Sequence, residues 1–277
     1  MLAAVDAGRS WTKYVGPNGV AGKFPSWIHP YYETEMEILY TRDDMAIEYQ
    51  GERWYIGEVV DRVIDAGDRQ QKQAEKGTKN TVLFILTALW RMGANDCDPI
   101  QLVTGLPLPL YKDGRTRETL RQALEGTHTL KITTGQGEDI RTFLIEEVHF
   151  AAEGAGAFYS RPQNGLIHVL DIGSRTINAP VFKDKRFHAG LSFSFNWGWD
   201  TLKDQNKNAD YVARQIDGEV ASKWGRDAEI LVAGGMAAQV AAALQRIGYK
   251  NAVALPDAQM ANAYGLYRML EVAVKGR

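Results

Sequence analysis

The sequence predicts an α/β fold built from two related halves, and three observations predict it. Strand-like and helix-like stretches alternate through most of the chain. A short apolar run ending in Asp-x-Gly and followed by an extended stretch occurs twice, at Asp6-Ala7-Gly8 and at Asp171-Ile172-Gly173. No low-complexity or Pro-rich segment separates the halves, so more than one crossing is expected to join them.

The elements follow in order. Leu2–Val5 is apolar and stops at Asp6, and Thr12–Val15 is extended. Pro17-Asn18-Gly19 then makes a hairpin turn, because Asn-Gly accepts the positive φ such a turn needs. A second hairpin is expected around Gln50-Gly51, between Met45–Tyr49 and Trp54–Ile56. From about Gln70 to Met92 the apolar spacing is helical, with Val82, Ile85, Leu86 and Leu89 on one face, and Gly93 stops it. Ile100–Thr104 reads as a buried strand, Thr116–Leu124 as a helix, Thr127–Thr133 and Ile140–His149 as strands. Ala151–Tyr159 is dense in small residues and is expected to be helical. Leu166–Leu170 and Thr176–Phe182 repeat the opening pattern, with a charged turn at Lys183-Asp184-Lys185. Helices are then expected over Ala209–Lys223, Ala237–Arg246 and Asp257–Val274, and strands over Glu229–Ala233 and Ala252–Leu255.

Bulk numbers narrow the function. The chain has 277 residues, 45% apolar and 24% charged, enough for one large or two modest cores. With 32 basic against 34 acidic residues, the formal charge of -2 argues against a chain that lives on nucleic acid. No run of eighteen apolar residues occurs, which argues against a membrane helix. The N-terminus carries no charged region and no room for a secretory core, and Cys97 has no partner for a disulfide, so a cytoplasmic protein is expected.

Common catalytic signatures are absent: there is no GxxxxGK[ST], no GxGxxG after a strand, no HExxH and no GxSxG. The five histidines are scattered and read as surface or core residues. The two Asp-x-Gly loops remain. A strand that ends in such a loop and turns tightly into another exposes successive backbone N–H groups, and such a concave row suits phosphate oxygens. The Gly permits close approach. The carboxylates of Asp6 and Asp171 suit Mg²⁺, held through its waters because Mg²⁺ dehydrates reluctantly. Ser10, Thr12, Ser174 and Thr176 can add hydroxyls, and Lys13 a positive charge. Alone, either loop is more readily an ordinary turn; two in related halves suggest a clamp on a polyphosphate.

Here the motifs resemble a family. Asp6-Ala7-Gly8-Arg9-Ser10-Trp11-Thr12-Lys13 resembles the first phosphate motif of the actin, heat-shock chaperone and sugar-kinase superfamily, and Asp171-Ile172-Gly173-Ser174-Arg175-Thr176 its second. Ala233-Gly234-Gly235-Met236 is similar to the adenosine motif, with Gly235 leaving room for the backbone under adenine or ribose. Thr104-Gly105-Leu106-Pro107 with Tyr111, and Glu153-Gly154-Ala155-Gly156-Ala157-Phe158-Tyr159, are similar to plasmid-segregation actins of the ParM/StbA type. The resemblance implies an actin-like, duplicated ribonuclease H-like fold. It divides the chain into 1–157 (with a hairpin lobe at about 25–65, completed by the C-terminal helix 257–277) and 158–256. It also implies ATP and Mg²⁺ as ligands, slow ATP hydrolysis, filaments of the chain itself that drive plasmid segregation, and a DNA-binding adaptor of the ParR type. In that setting Glu153 is expected to orient the water that attacks the terminal phosphate. Its alternative is a helix-start carboxylate that favours the positive end of the helix dipole.

Two departures stand out. Only about sixty residues separate the second loop from Gly234, so lobe IIB is expected to be reduced or missing, as in AlfA-like proteins. On helix 209–223 Arg214 matches the family, whereas Gly218 stands where a ribose-binding Glu is expected; Asp217 or Glu219 could substitute. The alternating Phe193, Phe195, Trp197 and Trp199 are expected to be either packed or, with a lobe missing, exposed at a subunit interface. A sugar or pantothenate kinase of the same superfamily, with Asp44 or Asp61 as base, and a non-hydrolysing scaffold are the other functions the pattern allows.

Overall fold

The computed structural model describes residues 1–33, 38–39, 41–63 and 79–276. Its first elements are β1 (Leu2–Ala7), β2 (Trp11–Val15), β3 (Ala21–Pro25), β4 (Ile28–Pro30), β5 (Met45–Tyr49), β6 (Glu52–Ile56), α1 (Val60–Val63) and α2 (Lys79–Arg91). Next come β7 (Ile100–Leu106), α3 (Leu108–Lys112), α4 (Gly114–Leu124), β8 (Gly126–Thr134), β9 (Gly137–Ala152), α5 (Ala155–Ser160) and β10 (Leu166–Ile172). The chain ends with β11 (Ile177–Ala179), β12 (Val181–Lys183), β13 (Arg186–Phe187), β14 (Phe193–Phe195), α6 (Ala209–Val220), β15 (Glu229–Gly234), α7 (Ala237–Arg246), β16 (Ala252–Ala254) and α8 (Ala261–Lys275). The helical pattern read from Gln70 is seen from Lys79 onward; residues 70–78 lie outside the described ones.

These elements make two compact units, one of residues 1–104 and 113–150, the other of 105–112 and 151–277. Helices α5 and α8 both lie in the second unit. Their glycines explain why. Gly156 and Gly265 bring the two backbones so close that a Cβ on either would overlap the other helix.

The first unit carries a nine-stranded sheet in the order β3-β2-β1-β7-β9-β8-β5-β6-β4. The Asn-Gly turn behaves as its residues dictate, with Asn18 at φ 58 and Gly19 at φ 77, and Gln50-Gly51 repeats it at φ 54 and 78. Thr81 through Trp90 of α2 are all buried, which makes it the central helix of this unit. Asp113 caps α4 by accepting from the N–H groups of Arg115 and Thr116.

Buried His128 in β8 bonds Tyr49 Oη through Nδ1 (2.9 Å) and the Leu124 carbonyl through Nε2 (2.7 Å). A carbonyl only accepts, so Nε2 carries the proton and Nδ1 accepts from the tyrosine. Desolvation by burial holds the His128 pKa below its ordinary 6.5, and the same cause lowers that of His168, which lies against Trp224. The unfolded chain therefore takes up protons that the native one refuses. Stability from these groups is complete above the ordinary histidine pKa and is lost as pH falls through it. Thermal melts from pH 7.5 to 5 should fall in midpoint, and His128→Gln should flatten part of that slope. A midpoint independent of pH across this range would refute the assignment.

The second unit carries a seven-stranded sheet, β13-β12-β10-β11-β14, with β15 beside β10 and β16 beside β15. One extended return follows the second Asp-x-Gly loop, but Pro180 interrupts it, so that β11 and β12 both pair with β10. The expected helix at Ala151–Tyr159 is shorter. β9 runs on through Ala152, and Gly154 turns the chain at φ 80 before α5 begins. Between β10 and β15 the chain builds strands β11 to β14, two single 3₁₀ turns and α6, so the lobe expected there is reduced. Phe193, Trp197 and Trp199 pack against the core of Leu170, Ile177, Phe195 and Ile216, which favours packing over an exposed interface.

Candidate functional site

Each unit places an Asp-x-Gly loop at the carboxyl end of a strand that has a parallel neighbour, where open α/β sheets take their ligands. In the first unit β1 lies parallel to β7, with Val5 opposite Thr104. The β1–β2 register sets Asp6 opposite Lys13, whose Nζ lies 2.9 Å from Asp6 Oδ2. The Gly8 N–H turns back to the Asp6 carbonyl (2.9 Å), and a Cβ on Gly8 would come within 2.5 Å of the Trp11 carbonyl. Only glycine fits that cradle.

A residue that sequence reasoning missed supports the loop. Ser26, just past β3, donates its hydroxyl to the Gly8 carbonyl (2.6 Å), and its N–H bonds the Ser10 carbonyl (3.0 Å). Thr12 Oγ1 bonds Ser26 Oγ at 2.8 Å and is fully buried, so this hydroxyl supports the loop from beneath. Arg9 and Ser10 lie on the half-buried stretch of the loop.

The second unit repeats the geometry. The Gly173 N–H bonds the Asp171 carbonyl (3.0 Å) and the Thr176 carbonyl (3.1 Å), and a Cβ on Gly173 would lie 2.6 Å from the latter. Ser174, Arg175 and Thr176 complete the half-buried loop. Here the buttress is a distant segment: Trp199 N–H bonds the Gly173 carbonyl (3.0 Å) and Asp200 N–H the Ser174 carbonyl (2.7 Å). Gly198 lies against the loop backbone, where a Cβ would approach Thr176 N and Gly173 O to 2.6 Å.

Around Asp171 the second unit brings several polar side chains together. Asn262, at the start of α8, accepts from the Ala157 N–H through Oδ1 (2.9 Å) and donates through Nδ2 to Asp171 Oδ2 (2.7 Å). Glu153 is anchored by its own N–H on the Leu106 carbonyl (2.7 Å). Its Oε2 accepts from Asn178 Nδ2 at 3.1 Å, and Asn178 Oδ1 accepts from Ser194 Oγ at 2.9 Å. The β10–β15 register puts Ala233 beside Asp171 and Gly234 beside Ile172. Gly234 takes φ 97 and presses on the Ile172 backbone, whereas a Cβ on Gly235 would meet open space. Glycine at 235 thus answers no demand of the fold and leaves its surface bare beside the loop. Met236 precedes α7 without a side-chain cap.

Arg214 is exposed on α6 and takes no part in the hydrogen bonds of Glu153 with Asn178 and of Asp171 with Asn262. Asp217 is engaged elsewhere: its Oδ1 lies 2.7 Å from Arg226 and accepts from Tyr249 Oη at 2.8 Å. Against desolvation, which would raise it, those two bonds hold the Asp217 carboxyl below its ordinary value. Asp217 is therefore a tie between α6 and the end of α7. Asp44 is buried and paired with Arg62, which gives it a structural partner in the first unit.

The donor set near each loop fits Mg²⁺ held largely by water and phosphate. Each loop offers a hard carboxylate, and no cluster of three or more His, Cys, Asp or Glu side chains suited to a metal occurs among the described residues. A cage built from protein alone is thus not what these residues make.

Comparison with known proteins agrees with this geometry. The family model of the N-terminal domain of actin like proteins matches residues 4–156. No curated protein matches the chain at the level of sequence. Among solved structures, an AlfA filament bound to AMPPNP is 21% identical, with 100% of this chain and 98% of that one covered at a TM-score of 0.79. AlfA from B. subtilis plasmid pLS32, as a filament, is 23% identical over 96% and 97% with a TM-score of 0.74. A 15-stranded ParM filament from Clostridium botulinum is 18% identical over 98% and 99% with a TM-score of 0.76. At such identities these structures establish the fold: actin-like over the whole chain. With the family model covering more than half its length, the chain belongs to the actin-like proteins.

Proposed function

We propose that this protein binds ATP with Mg²⁺, hydrolyses it slowly, and polymerises with itself into filaments that segregate plasmid DNA through an adaptor of the ParR type. One observation carries the nucleotide reading. The same built loop, with its glycine N–H folded back on the aspartate carbonyl and a cradle that a Cβ would fill, occurs in both units. Such loops offer N–H groups to phosphate oxygens, with Arg9 and Ser10 in the first and Ser174 and Arg175 in the second as donors, Gly8 and Gly173 as the close-approach positions, and Lys13 as a neighbouring charge. In each loop the carboxylate, Asp6 in one and Asp171 in the other, is suited to the waters of Mg²⁺, which when bound would neutralise charge on the phosphates. Glu153 holds the attacking water, and Gly234, Gly235 and Met236, with Arg214, take the adenosine side.

The filament reading is supported by the family and by AlfA and ParM structures described as filaments. The near-neutral charge fits DNA contact through an adaptor rather than directly. Light scattering after addition of Mg-ATP tests this. A rapid rise and a later fall are expected, with electron micrographs showing filaments at the peak. Phosphate release with flat scattering at every protein concentration would rule filaments out, and phosphate transfer to a metabolite would point to a kinase.

A further inference from the structure

We infer that Asn178 is a positioning residue for Glu153, with Ser194 holding Asn178 in the orientation that donates. The inference rests on the proposed role of Glu153 as the group that holds the attacking water.

The strand registers build the arrangement. Asn178 lies directly opposite Asp171 in the β10–β11 pair and directly opposite Ser194 in the β11–β14 pair. Side chains of directly paired residues stand on the same face, so Asp171, Asn178 and Ser194 form one polar row across three strands. Their neighbours Ile172, Ile177 and Phe195 fill the core on the opposite face. A one-residue slip would exchange the two sets, so the apolar pattern that fixes the sheet also fixes the row.

Within the row Asn178 has a single sensible orientation. It is 6% exposed, so water hardly competes for its amide. Ionised Glu153 can only accept, which requires the amide nitrogen to face it, and Asn178 Oδ1 then accepts from Ser194. A glutamate has three rotatable bonds and loses much freedom when ordered. The Asn178 bond restricts that freedom before substrate arrives, on a backbone that the Leu106 carbonyl already fixes through the Glu153 N–H. With Oε2 held by Asn178, the carboxylate's orientation toward a water is set by the sheet rather than by the nucleotide.

The experiment is a double-mutant cycle on the full chain, measuring phosphate release per sedimented polymer and, separately, affinity for a fluorescent ATP analogue. Asn178→Ala should lower turnover about tenfold, the effect of losing one charge-assisted bond, with nucleotide affinity changed less than about threefold. Ser194→Ala should give a smaller loss, and none when added to Asn178→Ala. In a Glu153→Ala background, Asn178→Ala should lower turnover no further. Asn178→Leu, which keeps volume, serves if the alanine variant fails to fold. Equal losses in both backgrounds, or normal turnover of Asn178→Ala, overturn the inference while leaving Glu153 its role. Wild-type turnover in Glu153→Ala alone removes that role and this inference with it.

Discussion

Glu153→Ala should release phosphate about 10²–10⁴-fold more slowly than the wild-type chain, the range that a positioned acid–base group contributes. Its filaments should persist: scattering rises on Mg-ATP and stays high. The backbone around Glu153 is fixed independently of its side chain, by the Leu106 carbonyl and by Gly154 at φ 80, where a Cβ would lie 2.9 Å from Pro180 Cγ. Truncating a half-buried glutamate on such a backbone leaves the strand, the loop and the Asp171–Asn262 bond in place. Nucleotide affinity and melting temperature should therefore change little while turnover collapses. A melt that drops with turnover would make Glu153 a structural helix-start residue instead. Glu153→Gln keeps the shape without the charge, and should hydrolyse ATP at a rate between the two.

Much of this was legible in the sequence because it is local. An apolar run, Asp-x-Gly and an extended return specify a strand, a tight turn and a second strand from within about fifteen residues, and both loops formed so. The reduced lobe was legible from chain length alone. What supports the loops was not, because its parts are distant in sequence. Ser26 reaches the first loop through the β2–β3 register, and Gly198 to Asp200 reach the second through backbone bonds that any residue type can make. Asn178 and Asn262 read as ordinary polar positions until strand pairing and the α5–α8 crossing bring them to Glu153 and Asp171. The helix over-read at Ala151 fails for a local reason: small residues suit a helix, but the strand pairing of β9 continues to Ala152 and Gly154 breaks the run. Asp217 looked available for a ribose only because Arg226 and Tyr249 lie beyond its own helix.

Gly265→Ala should destabilise the second unit by about 3 kcal/mol or more, at the upper end of what overpacking costs. For a chain of this size that is a fall of roughly 6–12 °C in melting temperature. The added methyl would lie far inside van der Waals contact with the Gly156 carbonyl oxygen and 2.6 Å from the Ser160 nitrogen. Both are backbone atoms, so no rotamer change relieves the overlap and the helices must separate. Separation has a second consequence. Asn262 sits one turn before Gly265 on α8 and spans from the Ala157 N–H to Asp171 Oδ2, so a displaced α8 withdraws the amide that orients the second loop's carboxylate. Nucleotide binding should weaken in this variant, which Glu153→Ala leaves nearly intact. Gly218→Ala is the contrasting case. A Cβ there meets nothing within 4 Å, and in the interior of α6 alanine should add about 0.5–1 kcal/mol of stability. If Gly265→Ala melts with the wild type, the two helices do not cross as closely as this and Asn262 does not depend on their contact.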